Sequence, residues 1–230
     1  MRYTNTLLGT FVERPNRFIA YVDVNGKKER CHVKNTGRCR ELLIPGVRSV
    51  LAVSDNPERA TAYDLIGVYK NGMLVNIDSQ APNKVVAESI RRVPGFEHIT
   101  EFHSEYRYGN SRIDIFAEGG GKKKLMEVKG VTLEKDGIAL FPDAPTERGL
   151  KHVRELEASL KEGYEACLMF LIQMTGPAAF FPSYEMHEEF AAEVERAHIS
   201  GVKVLAYDCA VTENSISLGN PVEVRFRDHS

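Results

Sequence analysis

Four residues in the middle of the chain, Glu88, Asp114, Glu127 and Lys129, have the types and spacing of a divalent-metal site for phosphodiester hydrolysis. The core pattern is Arg112-Ile113-Asp114-Ile115-Phe116, a glycine-rich turn, then Leu125-Met126-Glu127-Val128-Lys129-Gly130. Cleaving a phosphodiester requires neutralising the phosphate's charge and presenting a hydroxide near neutral pH. Mg2+ held by one or two carboxylates beside substrate oxygens assists both, and Mn2+ is the alternative ion. In that chemistry Asp114 and Glu127 are the metal ligands, and the Val128 carbonyl can add a neutral one. Lys129 is there to orient or deprotonate the attacking water and to stabilise developing negative charge. Glu88 is a third metal ligand if its helix packs close by. An isolated Glu-x-Lys is equally readable as a surface ion pair, and Glu88, on the polar side of its helix, as a plain surface carboxylate.

For these groups to converge, the two segments must be strands. Alternation then puts Glu127 and Lys129 on one side with Val128 on the other, and a paired neighbour can carry Asp114 to the same side. The surrounding pattern supplies such elements. Residues 81–93 place Val85, Val86, Ser89, Ile90 and Val93 on one helical stripe, with Pro82 in the first turn. Residues 101–108, 112–117 and 125–129 read as successive strands. Residues 146–161 read as a helix with Leu150, Val153, Leu156 and Leu160 inward, and the apolar run 166–172 as a central strand covered on both faces. A helix at 189–198 and a strand at 202–207 follow. The order α, β, β, β, α, β is that of restriction-endonuclease-like PD-(D/E)xK folds, so this part is expected to be a mixed α/β (α+β) nuclease-like domain over residues 80–230.

The first 79 residues read differently. Strand candidates at 7–13, 17–24, 28–33, 47–53, 63–69 and 73–77 are punctuated by Asn25-Gly26 and Asn71-Gly72, strong hairpin signals because such turns need positive φ. A small antiparallel barrel of the OB kind is expected. Its Asn35-Thr36-Gly37-Arg38 loop can clasp a phosphate through backbone N–H groups and the guanidinium. OB-like domains often bind single strands with a basic groove and stacking aromatics, and Phe11, Phe18 and Tyr21 could supply such a surface. Aromatic residues on small-barrel strands are more often core, and the core is the reading preferred for them. A second phosphate-binding candidate opens the 146–161 helix. There Thr146 is a suitable N-cap, Gly149 leaves the first turn bare, Arg148 grips a phosphate, and His152 contacts or orients it one turn on. Alternatively, Arg148 pairs with Glu147 or Asp143, and His152 with Glu155.

Composition narrows the setting. The chain has 230 residues, 43% of them hydrophobic, and a net charge of only −2. That balance argues against a protein that coats nucleic acid indiscriminately, so a polyanion must find a local basic surface. Lys122, Lys123 and Lys124, beside glycines, are read as a solvated turn. Four cysteines without a CxxC pair suggest neither a zinc ribbon nor a disulfide framework. The absence of tryptophan leaves a sugar-stacking site without support. No apolar leader or membrane-length run is present, so a cytoplasmic protein without a membrane partner is expected.

Longer segments carry a resemblance. These are Cys31-His32-Val33-Lys34-Asn35-Thr36-Gly37-Arg38 with Glu41-Leu42-Leu43 and Pro45-Gly46, then Ser111-Arg112-Ile113-Asp114, then Glu127 through Leu133, then Phe141 through His152 with Glu155-Leu156. In this order they resemble the sugar fermentation stimulation protein A (SfsA) family over nearly the whole chain. The resemblance implies an OB-like amino-terminal domain joined to a PD-(D/E)xK nuclease-like domain, DNA as partner, and a genetic link to sugar metabolism, notably maltose. The expectation is a DNA-binding protein with a Mg2+-dependent nuclease-type centre. The alternative is a non-catalytic DNA-binding regulator of sugar metabolism genes. The oligomeric state stays open, a homodimer included.

Overall fold

The computed structural model describes residues 1–35, 37–109 and 111–227. Six strands form the amino-terminal sheet: β1 (Thr6–Glu13), β2 (Ile19–Val24), β3 (Lys27–His32), β4 (Arg48–Val53), β5 (Tyr63–Lys70) and β6 (Met73–Asn76). Their order is β3-β2-β1-β4-β5-β6, and a parallel pairing of β3 with β5 at Cys31–Tyr63 and His32–Asp64 closes five of them into a barrel. Asn25-Gly26 and Asn71-Gly72 both take positive φ, so the two hairpins turn as their sequence requires. A bulge between Phe11 and Glu13 bends β1 and directs Phe11 into the interior.

The rest of the chain builds a nine-stranded sheet flanked by helices. Its elements are α1 (Ala81–Ser89), β7 (Glu101–Tyr108), β8 (Ser111–Gly119), β9 (Lys122–Val131), β10 (Leu133–Lys135), β11 (Ile138–Phe141), α2 (Glu147–Ser159), β12 (Glu165–Ile172), β13 (Ala179–Pro182), α3 (Glu188–Ser200), β14 (Lys203–Thr212) and β15 (Ser215–Val224). The strand order is β10-β11-β13-β15-β14-β12-β9-β8-β7. Strands β7, β8 and β9 form an antiparallel meander, and β12 runs parallel to both β9 and β14. The α, β, β, β, α, β order is present, with the β10–β11 hairpin inserted before α2 and β13 before α3. The first helix ends at Ser89, short of residue 93, and continues as a 3₁₀ turn, Ile90–Arg92.

Alternation along β9 and β12 divides the packing between two faces. Met126, Val128, Met169 and Leu171 pack on the α1 side with Val85 and Val86. Leu125, Val131, Leu168 and Phe170 pack on the other, with Leu150, Val153 and Leu156 of α2 and Phe190 and Val194 of α3. That second core is continuous with the barrel interior through Val33, Leu42 and Leu43. The shared apolar core fixes the barrel against the mixed-sheet domain, because separating them would expose it to water. Among the described residues no helix is long and apolar enough to cross a membrane.

Candidate metal centre and nucleic-acid surfaces

Strand β9 sets the centre. Glu127 and Lys129 share the face that looks toward α2, and Val128 turns to the α1 side, as the period of two requires. Beyond Ile115–Met126 the regular pairing of β8 and β9 stops, and Asp114 occupies the gap. Its Oδ2 accepts the Val128 N–H at 2.8 Å, while its Oδ1 accepts the side-chain amide of Asn83 at 2.7 Å. Asp114 is thereby pinned between β9 and α1.

Glu127 is only 2% exposed. Its Oε1 accepts the Lys129 ammonium at 2.7 Å and also the His152 Nδ1–H. Arg148 Nε donates to His152 Nε2 at 3.5 Å, so Nε2 is the bare nitrogen and the ring proton sits on Nδ1. Burial alone would raise the Glu127 carboxyl, but the His152 hydrogen bond and the Lys129 charge hold it below the usual carboxylate range. Burial, and then the charge of Glu127, push Asp114 the other way, above its ordinary value, against the pull of Val128 N–H, Lys129 and Asn83. The two carboxylates therefore lie close enough to feel one another.

One atom stands out in this arrangement. Glu127 Oε2 is buried and has no hydrogen-bond partner among the described residues. An orphaned buried carboxylate oxygen is costly and calls for a reason. Among the described residues two others exist, on Glu41 and Glu155, and of the three that of Glu127 sits in a carboxylate coupled to Asp114 and Lys129. A divalent cation held by Asp114 and Glu127 would give that oxygen a partner. The donor set, hard oxygens from two carboxylates, fits Mg2+ or Mn2+, which keep several waters and need few protein ligands. Among the described residues no group of three or more His, Cys, Asp or Glu is arranged to hold a metal, so the protein's side chains offer two ligands and not a full cage.

Several sequence expectations need correction. Glu88 is not beside Asp114. It lies on the outer face of α1, 57% exposed, and pairs with the Met1 amino group at 2.5 Å. The helix presents Asn83 to the centre instead, because Pro82 and Val86 must face the core and Glu88 falls well round the helix from Asn83. His152, expected to contact or orient a phosphate, is turned inward to Glu127. It is 5% exposed, behind Glu127, whereas Arg148 lies exposed above it. Gly149 does not leave space for a phosphate either. A Cβ there would meet Thr146 Oγ1 at 2.7 Å and Phe190 at 3.3 Å, so glycine is needed for the cap and for packing on α3. Thr146 itself caps α2, accepting Gly149 N–H at 3.1 Å. Phe18, expected in the core, is 56% exposed. Lys122 and Lys123 are exposed but lie in β9, paired with β8, not in a turn, and Lys124 is buried and pairs with Glu165.

In the barrel loop, Asn35 Oδ1 accepts Gly37 N–H at 2.7 Å, and Arg38 is exposed; Thr36 lies outside the described residues. A residue missed in the sequence organises this loop. Arg14 donates to the carbonyls of Asn35, Gly37 and Arg38 at 2.6, 2.7 and 3.0 Å, and to that of Arg17 at 2.7 Å. Asn83 and Arg14 left no sequence signal, because each acts through contacts that only the tertiary fold creates.

Two family models match this chain. The "Sugar fermentation stimulation protein RE domain" covers residues 80–215, and the "SfsA N-terminal OB domain" covers residues 12–77. A sugar fermentation stimulation protein homolog of Desulfitobacterium hafniense is 52% identical over 226 residues, 98% of this chain and 99% of the relative. The chain belongs to the sugar fermentation stimulation protein family. A further member of the SfsA family, the homolog from Ruminiclostridium cellulolyticum, is 50% identical over 98% of this chain and 100% of its own. The structure of Pyrococcus furiosus SfsA in complex with Ca2+ superposes with a TM-score of 0.87 at 26% identity, covering 98% of each chain. The OB barrel and mixed-sheet domain of this SfsA family member are thus a shared fold.

Proposed function

We propose that the chain hydrolyses phosphodiester bonds in DNA with one divalent ion, Mg2+ or Mn2+, held by Asp114 and Glu127. The carrying observation is the buried, partnerless Oε2 of Glu127 beside Asp114. The solved relative from Pyrococcus furiosus is in complex with Ca2+, a cation that takes oxygen ligands, and this supports a cation-binding reading here. When bound, the ion neutralises phosphate charge and lowers the pKa of a coordinated water. Lys129 is held by Glu127 with its side chain 14% exposed, ready to orient the attacking water and offset charge on the scissile phosphate. His152 fixes the Glu127 carboxylate, and Asn83 with Val128 N–H fixes Asp114, so neither ligand must reorganise. Exposed Arg148 is placed to take a neighbouring phosphate.

A second reading, a DNA-binding regulator of sugar metabolism genes that does not cut, draws support from the small ligand set, with Glu88 turned away. Labelled single-stranded, duplex and branched DNA, incubated with Mg2+ or Mn2+, separates the two. Metal-dependent cutting by the wild type that is lost in Glu127→Ala is the expected result. Binding without cutting by either protein would favour the regulator.

A further inference from the structure

The barrel carries an open cleft of about 530 Å³ between the β1–β2 turn and the loop that follows β3. Arg17, Arg38 and Arg40 line it, all exposed, and among the described residues none of them has a carboxylate partner. The acidic side chain in the cleft, Glu13, is already paired with Lys28 at 2.6 Å. The concentration of unpaired charge is notable in a chain whose net charge is −2. Leu43 and Pro45 add apolar surface to the lining.

One residue beyond Arg17, Phe18 exposes 56% of its surface. Its backbone is held in place, since Asn16 Oδ1 accepts both Phe18 N–H at 2.9 Å and Ile19 N–H at 3.0 Å, and Phe18 carbonyl accepts Val33 N–H at 2.8 Å. Arg14 clamps both walls of the cleft by donating to carbonyls on either side. Unpaired arginines on a backbone held by Arg14, with Leu43 and Pro45 in the same lining and an exposed ring one residue beyond Arg17, match what an unpaired polynucleotide offers, phosphates alternating with accessible base faces. A duplex keeps its base faces stacked inside and cannot use the ring.

The cleft also adjoins the metal centre. Gly37, in its wall, is so close to the segment leading into α2 that a Cβ would lie 3.0 Å from Asp143 Oδ2. On the other side of the same loop, Lys34 carbonyl accepts the Ser79 hydroxyl at 2.8 Å, and Ser79 lines a second cleft that contains Asp114, Asn83 and Lys84. The loop therefore stands between the arginine cleft and the carboxylates, wedged at the entries to α1 and α2.

We infer that the arginine cleft of the barrel binds a single-stranded stretch of nucleic acid and delivers it to the carboxylate centre, making DNA with an unpaired segment the substrate class. The inference rests on the phosphodiesterase reading for its catalytic half only. Arg17, Arg38 and Arg40 hold successive phosphates, and Phe18 stacks on a base.

The test is fluorescence anisotropy of the full chain in EDTA with a labelled mixed-sequence oligonucleotide, single-stranded or annealed. The single strand is expected to bind more tightly than the duplex. Phe18→Ala should weaken single-strand binding about five-fold or more while changing duplex binding little. The triple variant Arg17→Ala, Arg38→Ala, Arg40→Ala should lower the slope of log affinity against log salt by about 2. These side chains are exposed, so thermal melting checks that each variant is folded. Duplex binding at least as tight as single-strand binding, no effect of either folded variant, or equal displacement by polyglutamate would each overturn the inference. Titration of the wild type with Mn2+ keeps the two readings apart. Strand binding that persists in a protein with no affinity for the metal would sink the catalytic reading and leave the cleft assigned.

Discussion

His152 Nδ1 donates a hydrogen bond to Glu127 Oε1 between two side chains that are almost fully buried, one on α2 and one on β9. Together with Lys129 it occupies one oxygen of that carboxylate and leaves the other free. His152→Ala is expected to reduce Mn2+ affinity by about 10- to 100-fold, the usual loss when an outer-shell partner of a ligand is removed. His152→Asn, whose amide N–H can stand near the Nδ1 position, should recover much of it. Calorimetric titration measures both, and an alanine variant that binds like the wild type would remove the positioning role.

Gly130 follows Lys129 where β9 passes under the start of α1. A Cβ there would lie 2.5 Å from Gln173 Oε1 and 2.7 Å from Pro82 Cγ. Gly130→Ala should destabilise the fold by about 1–3 kcal/mol through overpacking. Because Pro82 adjoins Asn83, the variant should also bind Mn2+ more weakly. Unchanged urea midpoint and unchanged metal affinity would show that the helix start has room to move.

Asp64 anchors the barrel closure. Burial would raise its carboxyl, but hydrogen bonds from Arg59 and His32 and the charge of Lys34 outweigh it and bring the pKa to about 2, from an ordinary 3.8. A depressed carboxylate pKa stabilises the fold above the unfolded value, and that contribution disappears as pH falls through the folded value. Asp64→Asn should therefore cost about 2 kcal/mol at neutral pH. Urea midpoints of the variant and the wild type should converge as the pH drops from 3.8 towards 2. A difference that stays constant across that window would contradict the assignment.

Arg14 holds the barrel loops through carbonyls of Arg17, Asn35, Gly37 and Arg38. Lysine carries the charge but lacks the planar fork that reaches several acceptors at once. Arg14→Lys should raise amide hydrogen exchange in residues 35–40 and weaken nucleic-acid binding, while leaving the carboxylate centre's Mn2+ affinity unchanged. Exchange equal to the wild type would mean that the loop holds its shape unaided.

Much of this was legible in the sequence for definite reasons. The Asn25-Gly26 and Asn71-Gly72 turns, the alternation of Glu127, Val128 and Lys129, and the apolar run of β12 each reflect a local rule with a fixed period. The β10–β11 hairpin was missed although its turn residues, Asp136 and Gly137, take positive φ of 52° and 80° and are a recognisable signal. Strand β15 contains Gly219, Asn220 and Pro221, which read as a loop, and pairs only because β14 lies beside it. The placement of Glu88 failed for a geometric reason. Helical periodicity says which residues share a face, but the rotation of α1 over the sheet is set by Pro82 against Gly130, a contact between distant segments. His152 looked solvent-directed beside Arg148, and only the closeness of α2 to β9 shows that it points inward.

On the metal reading Asp114 and Glu127 share one cation, which uses the Glu127 oxygen that has no partner among the described residues. Anomalous diffraction from crystals soaked in Mn2+ tests it most directly. A single strong peak in contact with both Asp114 and Glu127 Oε2 is expected, absent from crystals of Glu127→Gln. A peak bound elsewhere, or one that survives that substitution, would contradict it.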